Sequence, residues 1–280
     1  MTSAPETLPP PTLTDQALQP PHAGPTTAST RPTAVLVGLL FLTATAAFIT
    51  ANALNVGVLN RPDFLIGAAD DTPALATAAL LVLGQFGVVG IAVLLFPLLK
   101  RHGEALALAH VGFRVTELAA SLFYLAVPLL AIELGTGLRN GTIDAIASPS
   151  LGALLHAQYS VAILMIYLVT SAGGLCMTVL LYRSRLIPRP IATLGLIGYP
   201  ALLAGCVLDM FNLVDVTQGI GLIALAPGGV FELVLPIWLL TKGFAFPARY
   251  SRHPASTARP LTQETDMAIT ERMPETKGFR

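Results

Sequence analysis

The sequence has little charge for its length. Charged side chains make up 11% of its 280 residues, against about 25% in an ordinary soluble domain. Only 18 charged residues occur in the 208 positions from Ala34 to Thr241, too few to cover a soluble surface of that size. The 16 basic and 16 acidic residues cancel, so no basic patch indicates nucleic-acid binding. These absences exclude an ordinary soluble enzyme and a nucleic-acid-binding protein, and they favour a polytopic membrane protein.

The sequence also lacks the usual signatures of disulfide, metal and catalytic chemistry. Its two cysteines, Cys176 and Cys206, lie in apolar runs without a CxxC spacing, so we interpret them as small buried side chains. There is no HExxH and no histidine pair at i, i+4, so no metal site is predicted. There is no GxSxG, P-loop or dinucleotide-binding glycine motif either. We therefore predict no catalytic residues and no cofactor, and an enzyme is the less favoured class.

Six apolar spans fill the middle of the chain. They are 34–55, 74–99, 105–134, 154–182, 191–209 and 220–241. Each comes close to or exceeds the roughly 20 residues that a helix needs to cross a bilayer. The runs are apolar on all sides and do not alternate with polar residues, which is typical of helices rather than barrel strands. The predicted fold is all-α, a bundle of six transmembrane helices whose partner is the lipid bilayer.

Polar tails flank these spans. Residues 1–32 contain eight prolines and no long apolar run, and residues 247–280 are polar with mixed charge. Such compositions bury too little surface to offset chain entropy. We predict disordered tails at 1–32 and 247–280, and one transmembrane domain at 33–246.

The loops predict an orientation. Those after the second, fourth and sixth spans carry eight Lys and Arg residues, whereas the opposite loops carry two. Basic residues collect on the cytoplasmic side of a membrane. We therefore expect both termini in the cytoplasm and the chain in the cell membrane, whether called inner or plasma membrane.

Five polar side chains lie deep within the spans. Arg114 and Glu232 are each ten residues from the charge that ends their span on the basic side, which is about 15 Å along a helix. Tyr199 reaches the same level, and Glu117 and Gln85 lie about one turn deeper. Charges at this depth are costly and need a reason.

Two interpretations of this intramembrane polar cluster stay open. It could be an ion-paired network that fixes helix register. It could also be a binding site, because two carboxylates and one guanidinium leave a negative charge unless a proton or a cation is bound. In either case we expect Arg114 to pair with Glu232, with Glu117 as a second acceptor.

A second polar layer is predicted near the outer face. His156 opens the fourth span, Asp209 ends the fifth and Glu133 ends the third. Most such residues at span ends are simply solvated at the interface. The alternative is a weak cation site.

Two longer motifs carry a family resemblance. One runs from Leu181 to Pro200 (LYRSRLIPRPIATLGLIGYP) and the other from Ala226 to Phe244 (APGGVFELVLPIWLLTKGF). Together with Phe113-Arg-Val-Thr-Glu117 they resemble DUF4386, a family of multi-pass membrane proteins of undefined function. The resemblance covers about 32–246. It implies a helical membrane domain with Arg114, Glu117 and Glu232 at motif positions, and it implies no activity.

Three functional classes follow. The first is a transporter or small-ligand-binding membrane protein that uses the polar cluster. The second is a non-catalytic scaffold or regulatory subunit for an unknown membrane partner, and the third is a membrane-embedded lipid-modifying enzyme. A water-accessible path to Glu232 favours the first class. A dry, fully paired network favours the second, and a lateral opening beside the carboxylates favours the third.

Overall fold

The computed structural model describes residues 27–61, 63–68 and 72–245, which form helices and short turns without a β-strand. The long helices are α1 (Thr27–Leu59), α3 (Thr72–Leu99), α4 (Glu104–Arg139), α5 (Ser148–Ser184), α6 (Arg189–Met210) and α7 (Leu222–Thr241). A one-turn helix, α2 (Phe64–Gly67), follows α1. Short 3₁₀ turns occupy Lys100–His102, Ala145–Ala147 and Gly219–Gly221.

Each of the six long helices has the length and apolar composition required to cross a membrane. The predicted all-α, six-helix architecture is therefore confirmed for the described residues. The outward faces carry large apolar side chains, such as Leu83 and Phe86, which are 68% and 63% exposed. A soluble monomer rarely exposes apolar surface on this scale, whereas lipid accepts it.

Helix bounds differ from the predicted spans mainly at their starts. Helix α1 begins at Thr27, ahead of the predicted start at Ala34, and α5 begins ahead of Leu154. Neither extension adds to the apolar run, so composition alone did not indicate it. Except for 27–32, which is helical, the predicted tails lie outside the described residues and stay predictions.

The long helices close into a ring. Each packs against the next one along the chain, and α7 packs against α1. Short connections force sequential helices to lie antiparallel and adjacent, which explains the α3–α4 and α5–α6 pairs. A ring of six helices leaves space at its axis, and that space is where the site lies.

Glycines set the closest helix contacts. A Cβ added at Gly198 in α6 would lie 2.5 Å from the backbone nitrogen of Gly228 in α7, so these two helices meet at their backbones. Gly84 in α3 similarly faces Ala44 and Ala47 in α1. Small residues are the usual contact surface of membrane helices, because they allow close approach.

Arg31 fastens α1 to α7 at the end of the bundle that carries the basic loops. Its Nη2 donates to the carbonyl oxygens of Leu240 at 2.8 Å and Thr241 at 3.3 Å. The last carbonyls of a helix lack partners within the helix, so a guanidinium there stabilises the helix end. About two turns further along α1, Gly38 packs against Leu240 and Pro236 of α7. The two helices are therefore in close contact at this end.

Candidate functional site: a cavity inside the helix ring

All five residues of the predicted polar cluster line one cavity of about 270 Å³ inside the helix ring. They come from α3, α4, α6 and α7, and further lining residues come from α1 and α5. The polar lining consists of Thr45, Gln85, Arg114, Glu117, Tyr167, Thr170, Tyr199 and Glu232. Residues distant in sequence therefore meet at one site at membrane depth.

Helix α4 supplies the charged wall. His110, Arg114, Glu117 and Ser121 recur at helical spacing and are all at least 95% buried. The Arg114 Nη1 donates to the Glu117 Oε2 at 2.6 Å, which forms a buried i, i+3 ion pair. The His110 Nδ1 donates to the Gly173 carbonyl of α5 at 2.9 Å. The His110 hydrogen bond connects this stripe to α5.

The partner of Arg114 corrects the sequence-based expectation. We expected a cross-helix pair with Glu232, but in the described part of the chain the ion pair of Arg114 is with Glu117. Residues three apart on a helix already face the same way, so Glu117 reaches the guanidinium without any help from tertiary packing. Glu232 lies on a separate wall and still interacts electrostatically with both groups.

Glu232 has a different neighbour. The Tyr199 hydroxyl of α6 donates to the Glu232 Oε1 at 3.2 Å. Tyr199 is 1% exposed and its ring packs edge-on against Phe231, with centroids 5.7 Å apart. The phenol is therefore fixed in place, and the Glu232 carboxylate lies at the cavity wall with one side-chain hydrogen bond from the described residues.

Two other cavity-lining polar groups have no hydrogen-bond partner within the described residues. They are the Gln85 Oε1 and the Thr170 Oγ1. Gln85 is 4% exposed and Thr170 is 9% exposed. Buried polar atoms normally find a partner, and each exception calls for an explanation such as a bound water, ion or ligand. Both residues line the same cavity as Glu232.

Aromatic rings form much of the remaining wall. Phe41 and Phe48 from α1, Tyr167 from α5 and Tyr199 all line the cavity. The rings of Phe48 and Tyr167 lie 6.2 Å apart between centroids. The sequence analysis did not identify Tyr167, Thr170 or the two phenylalanines. Aromatic and threonine residues are ordinary in membrane helices, so only the three-dimensional fold distinguishes these from lipid-facing ones.

The cavity has an apolar lip between α1 and α7. Ile49 of α1 and Leu233 of α7 both line it, yet they are 58% and 48% exposed on the outside of the bundle. Gly229 of α7 is also exposed and lines the cavity, and a Cβ added there would meet no atom within 4 Å. The side of the cavity next to Glu232 is therefore thinly covered.

A second, more polar cavity of about 900 Å³ lies at the end of the bundle that carries the acidic loops. His156 and Asp209 of the predicted outer layer line it, whereas Glu133 is exposed and lines neither cavity. The His156 Nε2 donates to the Leu59 carbonyl at 3.0 Å, and the Asp209 Oδ2 accepts from the Val216 amide at 2.8 Å. Both side chains thus bond to backbone of neighbouring segments.

Metal ligation has little support from the geometry. Across the ranges that the structure describes, His, Cys, Asp and Glu side chains nowhere gather in a group of three that could hold an ion. In the central cavity, one of the two carboxylates is already paired with Arg114. Hard cations such as Ca²⁺ need six or more oxygen ligands.

Comparison with protein families gives one match. The model of a family described as a domain of unknown function, DUF4386, matches residues 36–243. This region includes five of the six long helices in full, α1 from residue 36 onward, and every residue of the intramembrane polar cluster. Comparison with curated proteins and with solved structures gives no match.

Proposed function

Because the chain belongs to the DUF4386 family, whose description assigns no activity, we propose a function from the geometry of the central cavity. The protein is a membrane protein of the transporter class, which binds a small molecule between its helices. One observation carries the proposal. Charged and polar side chains of all six long helices converge on one cavity of about 270 Å³, and two of the buried polar residues that line it have an atom without a partner in the described chain.

The unpaired atoms argue against a purely structural network. A network that only fixes helix register is expected to satisfy its own members, because a half-satisfied network costs more than an apolar core. The Arg114–Glu117 pair meets that expectation. Gln85 and Thr170 do not, and both residues line the cavity that a ligand would occupy. A site that keeps unpaired acceptors around a cavity is typical of ligand binding.

The proposal includes a location. The chain lies in the cell membrane with both ends in the cytoplasm, on the basis of the eight-to-two distribution of Lys and Arg between alternate loops. The polar cavity lined by His156 and Asp209 then faces outward. The central cavity lies between this outer cavity and the basic cytoplasmic end.

Thiol accessibility tests whether the central cavity is open to small molecules. In a background of Cys176→Ala with Cys206→Ala, Thr170→Cys places a thiol in the cavity wall. Thr178→Cys is a matched control two turns along the same helix, because Thr178 is 0% exposed and does not line the cavity. The reagent is neutral hydroxyethyl methanethiosulfonate, applied to purified protein in proteoliposomes.

We expect the thiol at position 170 to react and the thiol at 178 to stay unmodified. Equal reaction at both positions would mean general loosening of the bundle rather than a defined cavity. No reaction at 170 would mean a sealed cavity and would overturn the proposed function in favour of a structural network.

The thin lip beside Glu232 favours a second candidate, a membrane-embedded enzyme that acts on a lipid. Glu232 is the one carboxylate in the cavity without an ion pair in the described chain, so it would act as acid or base. Mass spectrometry of lipids incubated with the wild-type protein and with Glu232→Gln tests this candidate. A lipid product made only by the wild type would favour the enzyme over the transporter.

A further inference from the structure

We infer that the ligand of the central cavity is a small organic cation, a protonated or quaternary amine, held by Glu232 and the aromatic wall. This inference rests on the proposed function, because it specifies the chemistry of that same binding site. The charge of the cavity, its unpaired polar atoms and its aromatic lining support it.

The charge of the cavity points to a cation. Its charged lining residues are Arg114, Glu117 and Glu232. Arg114 and Glu117 neutralise each other at 2.6 Å, and the remaining carboxylate forms no ion pair within the described residues and accepts a hydrogen bond from a phenol at 3.2 Å. A carboxylate at membrane depth needs a proton or a counter-charge. A cationic ligand supplies that counter-charge, whereas an anion would place two negative charges side by side.

The unpaired atoms point to a hydrogen-bond donor. The Gln85 Oε1 is a carbonyl oxygen, so it can only accept, and it has no donor in the described chain. The Thr170 Oγ1 can also accept. A protonated amine offers N–H donors and adds no acceptor, which complements this set, whereas a quaternary amine has no N–H and is held by charge and the aromatic wall alone.

The aromatic wall separates an organic cation from a metal ion. Four aromatic side chains line the cavity, Phe41, Phe48, Tyr167 and Tyr199. Aromatic faces attract ammonium groups through their quadrupole and are the usual cage for quaternary amines. They offer nothing to a hard metal ion, which needs a shell of oxygen ligands. A volume of about 270 Å³ limits the bound part to a small group.

Charged thiol reagents test the ligand class. With the position-170 thiol described above, the reaction rate is measured with a cationic trimethylammonium reagent and with an anionic sulfonate reagent of the same methanethiosulfonate type. Each rate is divided by that of the same reagent with 2-mercaptoethanol. We expect the cationic reagent to be preferred by roughly tenfold or more, since clefts of one charge sign concentrate counter-ions by such factors.

Two carboxylate variants assign the preference to a residue. Glu232→Gln should abolish the preference for the cationic reagent, so that the two normalised rates become equal. Glu133→Gln should leave it unchanged, because Glu133 is an exposed carboxylate outside both cavities. If Glu232→Gln fails to fold, the ratio in the parent protein still decides the question, because it needs no change at Glu232. Equal rates for both reagents, or a preference that survives Glu232→Gln, would overturn the inference.

Protection experiments distinguish a soluble ligand from a lipid headgroup, since both can carry an ammonium group. Tetramethylammonium chloride should slow the reaction of the neutral reagent with the thiol at position 170. As a control, it should not change the rate at which the same reagent reacts with 2-mercaptoethanol. Adding phosphatidylcholine to vesicles of phosphatidylglycerol should slow the reaction at position 170 only if the natural ligand is a lipid. Protection by neither would contradict an organic cation. Reaction with the neutral reagent alone would leave the proposed function standing while the ligand class fails.

Discussion

The Arg114 guanidinium and the Glu117 carboxylate lie 2.6 Å apart on one buried face of α4. This i, i+3 pair neutralises the arginine within its own helix. The carboxylate of Glu232, on α7, is then left with a hydrogen bond from Tyr199 and no ion pair in the described chain. Our proposal assigns the two carboxylates separate roles on the basis of this geometry: Glu117 stabilises the fold and Glu232 binds the ligand.

Arg114→Met tests the structural role of the pair. Removing one partner of a buried ion pair costs about 3–5 kcal/mol, because the other charge is stranded. We expect a large drop in the thermal midpoint in detergent, and a recovery of most of that loss in Arg114→Met with Glu117→Gln. Arg101→Met is the control, since Arg101 is exposed in the turn after α3. An equal loss in the single and double variants would contradict the pairing.

Tyr199→Phe tests how Glu232 is oriented. The change removes the hydroxyl that donates to Glu232 and keeps the ring that packs against Phe231. We expect protection by tetramethylammonium to weaken several-fold, since a hydrogen bond of this kind contributes about 1 kcal/mol. Tyr182→Phe is the control, because Tyr182 lies on α5 outside the cavity, beside Arg189. Equal effects of both variants on protection would disprove the orienting role.

Gly229→Leu tests the lip between α1 and α7. A Cβ at Gly229 meets no atom within 4 Å, so the protein should tolerate leucine while the larger side chain covers the lip. The neutral reagent should then react several-fold more slowly with the thiol at position 170. Gly112→Leu is the matched control, because Gly112 is also exposed with open space around it and lies outside the cavity. Unchanged access in Gly229→Leu would show that molecules reach the cavity by another route.

Reporter fusions test the orientation. Fusions that end after Arg139 and after Arg185 place the reporter in loops of opposite charge character. Because basic loops stay in the cytoplasm, alkaline phosphatase should be active at Arg139, and green fluorescent protein should be fluorescent at Arg185. If both reporters lie on the same side of the membrane, α5 does not cross it, and the six-crossing topology is wrong.

Long apolar runs made the fold predictable from the sequence. A run of about 20 apolar residues has few options other than a membrane helix, and short basic turns require neighbouring helices to be antiparallel. The polar cluster was predictable for the same reason. Arg114, Glu117 and Glu232 stand out against an apolar background, and their depth follows from the rise per residue.

The pairing within the site was not predictable at the same level. Counting residues gave Arg114 and Glu232 the same depth, but it could not give the side of each helix that faces the axis. The i, i+3 relation between Arg114 and Glu117 is local, and it took precedence over a pair that depends on how α4 and α7 are rotated. Tyr167 and Thr170 were missed because neither residue type is unusual in a membrane helix. Glu133 was grouped with His156 by depth alone, but its side chain lies on the exposed face of α4.

Equilibrium binding of radiolabelled tetramethylammonium to the purified protein tests the central claim most directly. The account predicts saturable binding to the wild type and to Glu133→Gln, and its loss in Glu232→Gln of unchanged thermal midpoint. No saturable binding to the wild type, or equal binding to Glu232→Gln, would contradict the claim that Glu232 in this cavity holds an organic cation.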